Sequence, residues 1–213
     1  MDLDNFDSYN LPGVKVKPYF DSLTRPSDVV RAGFHYALLE DKTLGWEVID
    51  NVVAPTYARK VKGFYEGESS KEKWRAEVGI AEQLLKSKDS RVRDFAATLL
   101  CAYFEFERPS LSKRREGISI DPRTQKASLV DSLLDVALND TELWPRVLAS
   151  MALTSAHKLM RYEPFTPEVE RSSRLSKIEQ HYDKLRTNLE TGCREDPPFA
   201  SRIQPYLDLI QKQ

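Results

Sequence analysis

The sequence predicts an all-α fold of about eight helices, and three observations carry the prediction. Apolar residues recur three and four apart through most of the chain from residue 26 onward, the period of a helix with one buried face. The 213 residues include only 8 glycines, too few for the tight turns of an antiparallel sheet. Short polar stretches holding Asp, Ser, Thr or Pro separate the periodic segments, as helix caps do.

Residues 1–25 read as an irregular N-terminal arm, punctuated by Pro12-Gly13 and Pro18, with Leu3, Phe6 and Tyr9 set among Asp2, Asp4 and Asp7. Residues 26–213 read as a single helical domain. Pro26-Ser27-Asp28 opens the first helix, with Val30, Phe34, Ala37 and Leu38 on its apolar side. Leu44 to Glu66 is one kinked helix or two short ones, because Pro55 removes an amide and crowds the preceding turn. Ser69-Ser70 lead into a helix with Trp74, Val78, Ala81 and Leu85. Asp89 caps the next, which runs to about Glu107.

That helix and the one over Thr141–Arg161 are the most apolar of the chain. At about 100° per residue, Arg91, Asp94, Thr98 and Glu105 form a thin polar stripe on the first, and Arg146, Ser150, His157 and Arg161 one on the second. Helices with so narrow a stripe are covered on most sides, which makes these two central. Between them lies a long basic loop over 108–121, containing Lys113, Arg114 and Arg115, and then a helix over Pro122–Asn139 with Ala127, Val130, Leu134 and Leu138 inward. Thr166-Pro167 starts a helix whose Leu175, Ile178, Tyr182, Leu185 and Leu189 make a heptad seam that would pack against one neighbour, with Gly192 as its stop. Asp196-Pro197-Pro198 precedes a final short helix with Ile203, Tyr206, Leu207 and Ile210, which Pro205 should kink or break.

Length and charge narrow the function classes. The chain can bury a core without disulfides or metals, and Cys101 and Cys193 form no framework, in keeping with a reducing compartment. The start Met1-Asp2-Leu3-Asp4 has no apolar core for a secretory signal. No apolar run reaches the ~18 residues that span a bilayer. The expected location is therefore cytoplasmic or nuclear. A net charge of -1 argues against nucleic acid as the main partner.

Catalytic motifs are missing. The glycines form no phosphate cradle, no GxSxG elbow occurs, and His35, His157 and His181 stand at no metal-ligand spacing, so no cofactor, metal or catalytic residue is assigned. His157 reads as a solvated or capping histidine beside Arg161. Cys101 reads as a buried hydrophobe, and Cys193 as an accessible thiol with no basic partner.

Two segments, 84–100 and 134–153, resemble one another: a short apolar helix, a turn with Asp89 or Asp140, then Arg93 or Arg146 at the head of an apolar helix. Asp89, Val92, Arg93, Ala96 and Leu100 follow the pattern that opens the second helix of HEAT and armadillo repeats, which this region resembles. In the second copy Arg146 lies two residues further from its Asp and Pro145 replaces the valine. Asp28, Val30 and Arg31 suggest a third copy. The resemblance implies antiparallel helix pairs stacked as a short α-solenoid, with an irregular helical bundle as the competing arrangement. It licenses no activity.

The expected function is a non-catalytic adaptor or scaffold that binds another protein through the central stripes, Arg91, Asp94, Thr98, Glu105 and Arg146, Ser150, His157, Arg161, with the loop residues Lys113, Arg114 and Arg115 as a further contact. Two other classes stay open: an all-α enzyme with an unadvertised pocket, and a HEAT-like nucleic-acid-binding protein in which Lys113, Arg114 and Arg115 join Arg171, Arg174 and Lys177.

Overall fold

The computed structural model describes residues 16–40, 42–67, 79–105, 127–161 and 168–211. Among these the chain is 88% helical and holds no strand, which establishes the all-α class. Their ten helices, against about eight expected, fall into two compact units, Met1–Tyr103 and Phe104–Gln213. The expected Trp74 and Val78 positions and the basic loop 108–121 lie outside the described residues.

The first unit begins with α1 (Val16–Ser22), inside the stretch expected to be irregular. Val16 and Phe20 stand one turn apart and are both buried, which gives a seven-residue helix its hold. Pro18 sits in the first turn, where no amide is needed. Asp21 ties α1 down: its carboxylate pairs with Lys17 and with Arg59, while the Lys60 ammonium donates to its backbone carbonyl at 2.8 Å. In α2 (Pro26–Ala37) Val29, Val30, Gly33, Tyr36 and Ala37 are buried. Gly33 lies so close to Val53 and to the Phe95 ring that a Cβ would stand 3.1 Å from the ring edge. Bare backbone is required there.

The break expected near Pro55 is a π turn. α3 (Lys42–Val48) passes through the π segment Ile49–Val53 into α4 (Ala54–Gly67), and the Ala54 amide donates to the Ile49 carbonyl, five residues back. The wider turn carries the carbonyls away from the Pro55 ring, so the helix bulges where an α-helical path would clash. The Asn51 side-chain amide donates to the Glu47 carbonyl at 2.9 Å, capturing an acceptor beside the bulge. Residues 79–84 are helical, with Ala81 and Leu85 buried. α5 (Ser90–Glu105) starts at the Asp89 cap, whose Oδ1 accepts the Arg91 amide at 3.0 Å, and Phe95, Ala96, Leu99, Leu100 and Tyr103 are sealed from solvent.

The second unit is organised around α7 (Leu143–Arg161), where every residue from Val147 to His157 is buried. α6 (Ala127–Asn139) packs against it with Leu129, Leu133 and Ala137 at its centre. The single helix expected from Thr166 to Gly192 is two: α8 (Glu168–Glu179) and α9 (Tyr182–Glu195), separated at Gln180–His181. The seam continues across the break, with Ile178, Leu185 and Leu189 fully buried, but α9 meets three neighbours, α6, α7 and α10 (Pro197–Gln211), instead of one. Gly192 is not a stop. It lies within α9, where a Cβ would sit 3.0 Å from Val147 and Ile203, so its absence of side chain lets three helices close together. α10 runs unbroken through Pro205, which is exposed together with Ser201, whose carbonyl loses its partner on the wet side.

Candidate functional site

The polar stripe of α7 faces inward along most of its length. Ser150 is fully buried, and its hydroxyl both donates to the Arg146 carbonyl at 2.7 Å and accepts the Asn188 side-chain amide at 3.1 Å. Asn188, itself buried on α9, also donates to the Ala137 carbonyl at 2.8 Å and so links three helices. Arg146 is half-buried, its Nη1 3.4 Å from the Asp140 carbonyl, and only Arg161 at the helix end is exposed. The stripe on α5 is likewise covered in its middle, with Asp94 and Thr98 buried. Arg91 is half-buried against Asp89, and Glu105 is exposed, its carboxylate accepting from the Tyr206 hydroxyl. The expectation of two solvent-facing stripes is therefore corrected. Periodicity found the polar sides of both helices, but other elements cover them.

A second buried polar arrangement centres on His157, expected as a solvated or capping histidine and found 1% exposed. Its Nε2 lies 2.9 Å from Oε1 of Glu179, the last residue of α8. The Tyr182 ring, at the first residue of α9, meets the imidazole edge-on at 5.3 Å. Burial pushes the imidazole below the ordinary histidine range; the bond and charge of Glu179 oppose that shift, and Arg161 reinforces it. At neutral pH the ring is thus uncharged, with its Nε2–H donated to the carboxylate. Sequence alone did not connect these groups, because Glu179 and Tyr182 lie on other helices. One signal was available: apart from exposed Lys158, the neighbours of His157 are Ala156, Leu159 and Met160, in a helix with little polar surface.

The remaining perturbed groups are dispersed. Burial and the nearby Glu190 push the Cys193 thiol up, against nucleophile character, and its sulfur faces the Ala200 carbonyl at 4.0 Å. Cys101 is buried, as expected. Asp21 is drawn upward by burial but held below its ordinary value by Lys17 and Arg59. Asp89 is lowered chiefly by its hydrogen bond from Arg91. Burial, with Tyr19 nearby, raises Tyr36. Among the described residues no three His, Cys, Asp or Glu side chains converge as metal ligands, and no helix is long and apolar enough to cross a membrane. Lys113, Arg114 and Arg115 lie outside the described residues. Lys177, proposed to join them on a nucleic-acid surface, is paired with Asp131 at 2.9 Å.

Compared with protein-family models, curated proteins and solved structures, the chain matches none. The resemblance to HEAT and armadillo repeats thus rests on the sequence positions quoted for it alone.

Proposed function

We propose that the protein is a non-catalytic α-helical adaptor that binds another protein. One observation carries this reading: among the described residues, the groups with displaced proton affinity, Asp21, Tyr36, Asp89, Arg91, His157 and Cys193, are scattered over different elements, and local burial or neighbouring contacts account for each. Catalytic sites gather such groups in one cleft and leave them aimed at a substrate. Here they cap helices, latch α1 and join α7 to α8.

Burial of the central stripes moves the proposed contact surface to α1 and α2. Tyr19 and Leu38 are the exposed large apolar side chains of the described residues. Tyr19 stacks edge-on with Phe20 at 5.5 Å, and Phe20 in turn lies 6.0 Å from Tyr36, so the exposed ring stands on a rigid aromatic base. Tyrosine held in this way provides contact area at low entropic cost and is enriched at interface hot spots. The test is affinity capture from the native source with the wild-type chain and a Tyr19→Ala/Leu38→Ala double variant, read by mass spectrometry. A protein retained by the wild type and lost by the folded double variant supports the surface. Identical capture by both chains overturns it.

A further inference from the structure

The helix that carries Tyr19 is only seven residues long, Val16–Ser22, and a helix that short does not persist on its own. Its inner side supplies two apolar anchors, Val16 and Phe20. Its last turn supplies a hold of a different kind. The two oxygens of the Asp21 carboxylate are divided between cations: Oδ2 accepts from the Lys17 ammonium at 3.2 Å, and Oδ1 accepts from the Arg59 guanidinium of α4. The same Arg59 nitrogen, Nη2, also donates to the hydroxyl of buried Thr56 at 3.1 Å, one turn back on α4, so its own helix aims the guanidinium at α1. Lys60 adds its bond to the Asp21 carbonyl at 2.8 Å, at a helix end where carbonyls lack internal partners.

Tyr19 lies two residues from both Lys17 and Asp21, about 200° around α1 from each. The cations therefore stand on the flank opposite the exposed ring and act on it through the helix that carries it. We propose, resting on the reading of Tyr19 as a contact, that Asp21 is its positioning residue: an electrostatic latch that holds α1 on α4 and makes the presentation of Tyr19 depend on ionic strength. Isolated surface pairs contribute little, but here one carboxylate joins two cations, and the pre-aimed Arg59 ties it to a second helix. The network is also open to solvent, with the Lys17, Asp21 and Arg59 side chains 50%, 37% and 58% exposed. Salt reaches it directly, because the screening length shrinks from roughly 20 Å at about 0.02 M to roughly 4 Å at about 0.5 M. Screening does not loosen Val16 and Phe20, whose burial is apolar. Ionic strength thus acts on one hold of α1 and leaves the other.

Amide exchange of the full chain, followed by NMR over residues 19–23 and corrected for intrinsic rates, tests the latch without any partner. Its outcome is therefore separate from that of the adaptor reading. Asp21→Asn keeps the shape and removes the charge. Protection of α1 at about 0.02 M sodium chloride should then fall about three- to tenfold, while the α2 amides of Val29 and Val30 hold theirs. Raising the salt to about 0.5 M should bring the wild type down toward the level of the variant and leave the variant unmoved. Arg59→Gln should lose nearly as much, and the double variant less than the two losses combined, because both substitutions break the same bond. The wild-type salt series decides the matter if the variants do not fold. A wild-type profile indifferent to salt, a full salt response retained in Asp21→Asn, or an equal loss of protection in α2 would each overturn the latch.

Discussion

At the corner entering α5, Arg93 reaches back to the carbonyls of Ser87 and Lys88 at 2.8 and 3.0 Å, and Asp89 holds the Arg91 amide with one carboxylate oxygen and its guanidinium with both. At the corner entering α7, Arg146 reaches the Asp140 carbonyl at 3.4 Å, and the Asp140 carboxylate accepts the Glu142 amide at 2.9 Å. Each arginine thus points to a carbonyl six residues earlier, and aligning the two look-alike segments on their arginines places Ser87 opposite Asp140. In that register Asp89 matches Glu142. The second corner adds aromatic packing, with Trp144 edge-on to Phe199 at 5.5 Å and Arg202 above the same ring at 4.8 Å. Two stretches that look alike as sequence can therefore share a closing contact and differ in what stabilises it.

The largest expected effect sits just beyond the first corner. Phe95→Ala should destabilise by about 3–5 kcal/mol in urea melts, because the ring is fully buried and packs on Gly33. Next, Arg93→Ala should cost about 1–2 kcal/mol and Arg146→Ala less than about half of that, since charge-assisted bonds weaken with length. Equal losses at the two arginines would erase the distinction between polar and aromatic closure. Asp89→Ala should cost about 1 kcal/mol as a lost cap, and Arg91→Ala should leave the melt close to that of the wild type, because its pair with Asp89 lies in solvent.

Acid should separate the units in a different way. Asp21 and Asp89 have lowered values, so their contribution is present above the ordinary 3.8 and is lost as pH falls through their folded values. His157 is also lowered, but as a base: its contribution is complete above 6.5 and is lost as pH falls through its folded value. Thermal melts between about pH 6.5 and 4.5 should therefore respond to His157→Gln and not to Asp89→Asn. The reverse order would show that the first unit carries the acid sensitivity.

Much of the fold was legible because its signals are local. Asp89 and Asp140 mark corners through carboxylate bonds to amides two residues on, Pro26 opens α2 from its first turn without a side-chain cap, and narrow polar stripes marked α5 and α7 as central. The α8–α9 break was not legible, because the turn at Gln180-His181 has neither glycine nor proline and the Leu175–Leu189 seam runs on across it. Gly192 and Pro205 misled for the same reason. Their local tendencies are real, but close packing on Val147 and Ile203 makes use of one, and solvent exposure makes the other tolerable. The candidate site was the least legible part. Periodicity shows which side of a helix is polar, but Ser150 and His157 find their partners 38 and 22 residues away.

The π turn before Pro55 also sets the phase of α4. An extra residue in one turn advances every later side chain around the axis, so that Val52, Val53 and Ala54 can be buried in succession and Thr56, Tyr57, Ala58 and Val61 still face the core. Deleting exposed Asn51 would restore an ordinary pitch and swing Tyr57 by roughly a quarter turn, driving the Pro55 ring back toward a carbonyl. Replacing Asn51 would forfeit only its bond to Glu47. Along this helix the number of residues is therefore constrained more tightly than their identity.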